Sequence, residues 1–203
     1  MEKSKKVGII GGTFNPIHFG HLMMAERAYS EFDLDEILFM PTGRSYFKDD
    51  SVLDKKIRSN MTSIAIGDNP HFLLSTIETD KDGNSYTYET LEGLIEANPD
   101  VSYYFICGAD SLFQIENWRC PDRIFKAATL LVAARDDKAK DELLKKTDEL
   151  KNRFDAKIEV MDFPRVEISS TDIRNRVSKG LSVKYMLPDG VIDYISKKGL
   201  YRD

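Results

Sequence analysis

Apolar residues along the chain fall into two patterns that take turns. Short continuous apolar runs at 6–10, 36–40, 72–75, 102–107, 129–134 and 157–161 predict strands. Segments with helical spacing predict helices over 19–32, 53–66, 87–97, 109–117, 121–127, 137–153, 170–179 and 188–198. This alternation predicts an α/β chain built on an open parallel sheet with helices on both faces. Strands that are apolar throughout, rather than at every second position, suit a sheet covered on both sides. The dense charge run from Asp136 to Asn152 predicts a solvated helix with Leu143, Leu144 and Leu150 on its buried side. No internal repeat or low-complexity stretch interrupts the pattern. The chain reads as one domain over 1–203, with a small helical C-terminal part at 168–203.

The first strand-to-helix junction concentrates the chemistry. Val7-Gly8-Ile9-Ile10 leads into Gly11-Gly12-Thr13-Phe14-Asn15-Pro16-Ile17-His18-Phe19-Gly20-His21, then into the helical Leu22-Met23-Met24-Ala25-Glu26-Arg27-Ala28. Two glycines at a strand exit permit a tight turn and a close approach of backbone to a ligand. Free amides and the positive end of a helix dipole attract an anion. His18 and His21, three positions apart, can point the same way. Taken singly, each feature has a structural reading: a corner glycine, or a histidine capping a helix. Their joint occurrence points to a phosphate undergoing reaction. Ligands in open α/β sheets sit at the carboxyl ends of the strands. There the first turn, the Thr42–Asp50 loop and Gly108-Ala109-Asp110 would meet.

Composition narrows the class. The chain has 203 residues, 41% hydrophobic and 31% charged, as an ordinary globular protein does. Its net charge of −5 argues against broad nucleic-acid binding. It leaves room for a small anionic ligand held by a few local donors. No apolar stretch approaches the roughly 20 residues of a membrane span. Met1-Glu2-Lys3-Ser4-Lys5-Lys6 is charged with no long apolar run behind it, so a cytoplasmic location with no membrane partner is expected. Cys107, in an apolar run, and Cys120, before Pro121, belong to no metal-ligand pattern. No bound metal is expected. His71 reads as structural.

Gly12 to His21 resembles the GxFxPxHxGH signature of the nucleotidyltransferase superfamily with the HxGH motif. Ile168-Ser169-Ser170-Thr171-Asp172-Ile173-Arg174 resembles its ISSTxIR motif. The tail Tyr185-Met186-Leu187-Pro188-Asp189-Gly190-Val191-Ile192-Asp193-Tyr194-Ile195 to Leu200-Tyr201 matches too. With Gly108-Ala109-Asp110 and Trp118, these segments make the chain similar to the bacterial nicotinate-nucleotide adenylyltransferase family over nearly its whole length. The resemblance implies a Rossmann-like fold and transfer of AMP from ATP to nicotinate mononucleotide. The products are deamido-NAD and pyrophosphate. The acceptor phosphate, already an anion, would attack in line, without a general base or covalent nucleophile. Mg²⁺ would arrive with ATP, held mainly by phosphates and water.

The resemblance also implies roles. His18 and His21 would contact the ATP phosphates, His21 nearest the α-phosphate. Gly11, Gly12, Thr13 and Phe14 would line the first turn with backbone amides. Ser169 and Arg174 would hold the outer phosphates, Arg174 joining the histidines as a catalytic group. Asp110 would bind the adenosine ribose, and Gly108 would let adenine approach. Thr171 either caps its helix or touches ligand. Trp118, the single tryptophan, either anchors packing or stacks on the pyridine. Ser85-Tyr86-Thr87-Tyr88-Glu89-Thr90-Leu91 looks like the family's SYTxDTL segment and would place Thr87 near the nicotinate carboxylate. Tyr86 and Tyr88 serve equally well as packing residues.

Three departures stand out. Asn15 replaces a common Asp. Ser45-Tyr46-Phe47-Lys48 stands where the family often has Pro-Pro-His-Lys, so acceptor-phosphate binding there falls to Lys48, with Arg44 as a substitute cation. Asp136-Asp137 follows Arg135 where Pro-Gly is usual. Two alternatives remain open: another acceptor phosphate, such as phosphopantetheine or a cytidylyl-accepting alcohol phosphate, and a nucleotide-binding regulator without turnover. A dehydrogenase is disfavoured, because Gly8-Ile9-Ile10-Gly11-Gly12 does not supply G-x-G-x-x-G. Whether the chain forms a homo-oligomer, and how strictly it separates acid from amide acceptor, the sequence leaves open.

Overall fold

The computed structural model describes residues 4–43, 52–134 and 137–202, with backbone only at 137–140. Six strands form one parallel sheet: β1 (Lys5–Gly12), β2 (Glu36–Pro41), β3 (Phe72–Leu74), β4 (Val101–Gly108), β5 (Thr129–Ala134) and β6 (Ile158–Asp162). Their order is β3-β2-β1-β4-β5-β6. β1 therefore pairs with β2 on one side and β4 on the other, and chain progression reverses there. Such a switch point opens a crevice at the carboxyl ends of the two central strands.

Adjacent residues of each strand face opposite sides, which divides the apolar runs between two cores. Ile10, Phe39, Ile106, Leu131, Ala133 and Met161 face one side. There they meet α1 (Phe19–Glu31), α2 (Lys55–Ile66), α7 (Ser170–Ser178) and α8 (Asp189–Lys198). Val7, Ile9, Phe105, Cys107, Leu130 and Val132 face the other. Their partners are α3 (Thr87–Ala97), α5 (Pro121–Ala127) and α6 (Asp137–Phe154). This is the two-faced burial that the continuous apolar strands predict.

Three local expectations need correction. Gly11 and Gly12 are the last two residues of β1, paired with Met40 and Pro41, and do not themselves turn. The predicted helix over 109–117 is α4 (Ala109–Gln114) followed by a 3₁₀ turn (Ile115–Asn117), a common way to tighten a helix end. In α6, Leu143, Thr147 and Leu150 are buried, whereas Leu144 is 43% exposed. At 100° per residue, positions 143, 147 and 150 share a stripe and position 144 falls outside it. Among the described residues, no helix is long and apolar enough to cross a membrane.

Candidate active site

After Gly12 the chain turns through Thr13–Ile17. Phe14 takes a left-handed backbone conformation (φ 48°), and the Asn15–Pro16 peptide is cis. The Phe14 side chain is buried, edge-on to His21 with ring centroids 5.0 Å apart. A Cβ on Gly12 would lie 2.8 Å from that ring, so the glycine is needed for close approach rather than for an unusual dihedral. At Gly11 a Cβ would rest 3.7 Å from Phe105, an ordinary contact.

His18 is the N-cap of α1, in extended backbone, and His21 is its third residue. The His18 N–H donates to His21 Nδ1 at 3.3 Å, and the two rings stack with centroids 3.8 Å apart. A neutral His21 ring that accepts at Nδ1 carries its proton on Nε2, which makes Nε2 a donor. His18 is buried and His21 half-buried. Both line a cleft of about 190 Å³ with Gly20, Ser169 and Ser170. The two distant motifs thus share one cavity.

Hydrogen bonds tie the second motif to the first turn. Ser170 Oγ donates to the Pro16 carbonyl at 2.8 Å. Arg174 Nη1 donates to the Asn15 carbonyl at 2.9 Å, and its Nη2 to Thr171 Oγ1 at 3.4 Å. Ser169, not Thr171, caps α7: its Oγ accepts from the Asp172 N–H at 3.1 Å. A hydroxyl that accepts one bond can still donate its own proton. Tyr201 Oη donates to Asn15 Oδ1 at 2.9 Å, and burial raises the Tyr201 pKa well above its ordinary value. Asn15 therefore joins the first turn to the tail, a role that sequence reading did not assign.

Gly108 ends β4 and caps α4, and Asp110 is exposed in that helix's first turn. Both lie at the carboxyl edge beside β1. On the same face of the sheet as α4, Thr87 is the first residue of α3 and Tyr86 its N-cap. Trp118 follows the 3₁₀ turn, half-buried and edge-on to Phe105 at 6.1 Å. Tyr86 and Tyr88 pack against cations: the Arg119 guanidinium sits 4.6 Å from the first ring and Arg123 4.3 Å from the second. The interaction with Tyr86 also raises the Arg119 pKa. Arg44, Lys48 and Arg135 lie outside the described residues. Among the described residues, no group of three or more His, Cys, Asp or Glu side chains could hold a metal ion.

Two buried charges went unrecognised in the sequence. Arg58 is 2% exposed and donates to the carbonyls of Leu53, Thr13, Thr42 and Gly43 at 2.7–3.1 Å. Burial pushes its pKa down. Glu78 is buried, accepts from Thr90 Oγ1 at 3.0 Å, and has its pKa raised by burial. Arg58 was detectable: it shares a helical stripe with the apolar Met61 and Ala65, where a charge is unexpected.

The cytidylyltransferase-like family model matches residues 9–176. A Lachnoclostridium phytofermentans protein bearing the name "Probable nicotinate-nucleotide adenylyltransferase" is 46% identical over 97% of this chain and 99% of its own length. A Clostridium perfringens protein with the same name is 43% identical over 98% of each. Among solved structures, the Plasmodium falciparum nicotinic acid mononucleotide adenylyltransferase complexed with NaAD has the same fold. Its TM-score is 0.81, with 24% identity over 97% of each chain.

Proposed function

The chain belongs to the cytidylyltransferase-like family and, within it, to the nicotinate-nucleotide adenylyltransferases, and we propose that it transfers the adenylyl group of ATP to nicotinate mononucleotide. The products are deamido-NAD and pyrophosphate. The observation that carries this reading is the cleft in which His18 and His21 of α1 meet Ser169 and Ser170 at the start of α7. It holds donors suited to a polyphosphate.

Under this reading the acceptor phosphate attacks the α-phosphorus, the bond to the bridging oxygen breaks, and pyrophosphate leaves. His21, with Nε2 as donor, stabilises charge growing on the α-phosphate oxygens. His18 orients the His21 ring through its N–H and by stacking. Arg174 and Ser169 serve the outer phosphates, and the bond from Arg174 to Asn15 sets that guanidinium against the first turn. Gly108 and Asp110 receive the adenosine. Trp118 takes the pyridine ring, and the first amides of α3 at Thr87 take its carboxylate. Arg44 and Lys48 serve the acceptor phosphate. Magnesium enters as part of the Mg–ATP substrate, and the setting is cytoplasmic.

The test is incubation with Mg–ATP and a panel of acceptors: nicotinate mononucleotide, nicotinamide mononucleotide and phosphopantetheine. Pyrophosphate release should be fastest with the first. Release only with another phosphate would move the chain to a different acceptor. No release with any would overturn the enzymatic reading.

A further inference from the structure

Arg58 and Glu78 face each other's work across one glycine. The guanidinium binds the carbonyls of both Thr42 and Gly43. In a trans peptide the carbonyl of one residue and the N–H of the next point in opposite directions. With the Thr42 carbonyl turned onto Arg58, the Gly43 N–H points the other way. On that side lies Glu78, and the Gly43 backbone holds the Glu78 carboxyl down against the rise that burial imposes. No side chain fits at Gly43, because a Cβ would collide with the Glu78 carbonyl oxygen and lie 2.8 Å from Ser85 Oγ.

The chain of bonds continues at both ends. On one side Arg58 Nη1 holds the Thr13 carbonyl at 2.7 Å, which turns the Phe14 N–H away from the guanidinium. On the other side Glu78 accepts from Thr90, which lies in the first turn of α3 after Thr87. Thr13 belongs to the turn that faces ATP, and α3 carries the residue that faces the acceptor.

We infer that Arg58 and Glu78 are positioning residues, linked through Gly43 into one buried polar chain that sets the ATP-side turn at Thr13 against the acceptor-side helix α3. The inference rests on the adenylyl-transfer reading for what the two ends hold. The link itself, bonds at each end joined by the close packing of Gly43 on Glu78, is independent of that reading. Misplacing reacting groups by about 1 Å can cost roughly a hundredfold in rate. A buried charge leaves no cheap alternative geometry, because breaking its bonds strands it away from water.

The experiment compares Arg58→Lys, Glu78→Gln and their double variant in full-length protein. Each variant is assayed with ATP and acceptor varied separately, and by amide hydrogen exchange. Each single variant should lower kcat by roughly 10–100-fold, with both KM values little changed. The double variant should be no slower than the worse single one, since either change already breaks the chain. Exchange should speed up across the link: Arg58→Lys at 87–91, and Glu78→Gln at 12–16. Unchanged kcat in folded single variants, or losses that multiply, would overturn the inference. So would exchange changes confined to each residue's own neighbours. If a single variant does not fold, Thr90→Val removes only the outermost bond. It should still lower kcat and speed exchange at 12–16, and an unaltered rate and exchange pattern in it would equally refute the link. If the wild-type protein transfers no adenylyl group, the exchange arm still decides whether the link exists.

Discussion

The two faces of the sheet hold their halves of the site by different means. On the α1/α7 face, side chains grip backbone over long separations: Ser170 to Pro16 and Arg174 to Asn15 span 154 and 159 residues. Tyr201 reaches Asn15 over 186 residues. On the α3/α5 face, the groups beside Thr87 are rings and exposed guanidinium groups: Arg119 on Tyr86, Arg123 on Tyr88 and Trp118 against Phe105. A bond from a charged group to a carbonyl is directional and contributes about 1.5–3 kcal/mol. An exposed cation over a ring contributes about 0.5–1 kcal/mol and tolerates sliding. The first face is therefore suited to aligning phosphates, and the second to recognising an acceptor. Loss of a phosphate-side donor should appear in turnover, and loss of an acceptor-side ring in acceptor binding.

The largest effect is expected at His21. His21→Ala should lose about 10²–10³ in kcat, the usual loss when one donor to a developing oxyanion is removed. Nucleotide binding should weaken far less. Single-turnover kinetics beside equilibrium ATP titration separates the two. A folded variant with normal turnover would end the catalytic assignment and blur the contrast between the faces.

Arg174→Ala comes next. Losing a charged donor to phosphate should lower kcat/KM for ATP by roughly 10–100-fold, with a smaller change for the acceptor. The variant also frees the Asn15 carbonyl, so its thermal midpoint should fall, by about 2–4 °C per kcal/mol lost. Steady-state kinetics with each substrate varied in turn checks the first point, and calorimetry the second. A defect confined to the acceptor would place Arg174 with the wrong half of the site.

The same contrast governs what could be read from residues alone. Strand and helix positions were legible because apolar runs and stripes report burial directly. The meeting of the two motifs in one cleft was legible because their residues sit in two short segments with fixed spacing. The ties that hold those segments were not. Asn15, Arg58 and Glu78 are polar residues with partners up to 186 residues away, and of the three only Arg58, on an apolar helical stripe, carries a local sign of burial. Ser169 rather than Thr171 takes the cap because α7 begins at Ser170, two residues earlier than a Thr171 cap would require. The acceptor face was half-legible. Trp118 reads equally as anchor and platform, and its half-buried, edge-packed position lets one ring do both.

Acceptor choice probes the softer face. Nicotinate mononucleotide should be used at least roughly tenfold better in kcat/KM than the nicotinamide form, about 1.4 kcal/mol. Thr87 opens α3, where unpaired N–H groups favour a carboxylate, whereas an amide brings donors against donors. Trp118→Ala should weaken both acceptors alike and leave their ratio nearly intact, because both carry the same ring. Competition between the two acceptors measures the ratio directly. Equal use of both by the wild type would remove the carboxylate reading while leaving the transfer chemistry in place.

The smallest effect is expected at Glu116, two residues before Trp118. The bond from Lys146 holds the Glu116 carboxyl below its usual range, and Arg153 adds to the effect at 2.6 Å. A carboxyl with a lowered folded pKa contributes stability above its ordinary unfolded value. That contribution is lost as pH falls through the lowered folded value. The thermal midpoint of Glu116→Gln should therefore lie slightly below wild type at neutral pH, and the gap should close in acid. It should also shrink with added salt, because exposed ion pairs are screened. The turn itself is held by Ile115, which is fully buried against the α3/α5 core, so Trp118 does not depend on the ion pairs for its position. The acceptor KM of Glu116→Gln should accordingly match wild type. A KM raised severalfold, in a variant with an unchanged midpoint, would show that surface charge rather than core packing places the tryptophan, and the acceptor face would then be electrostatically held after all.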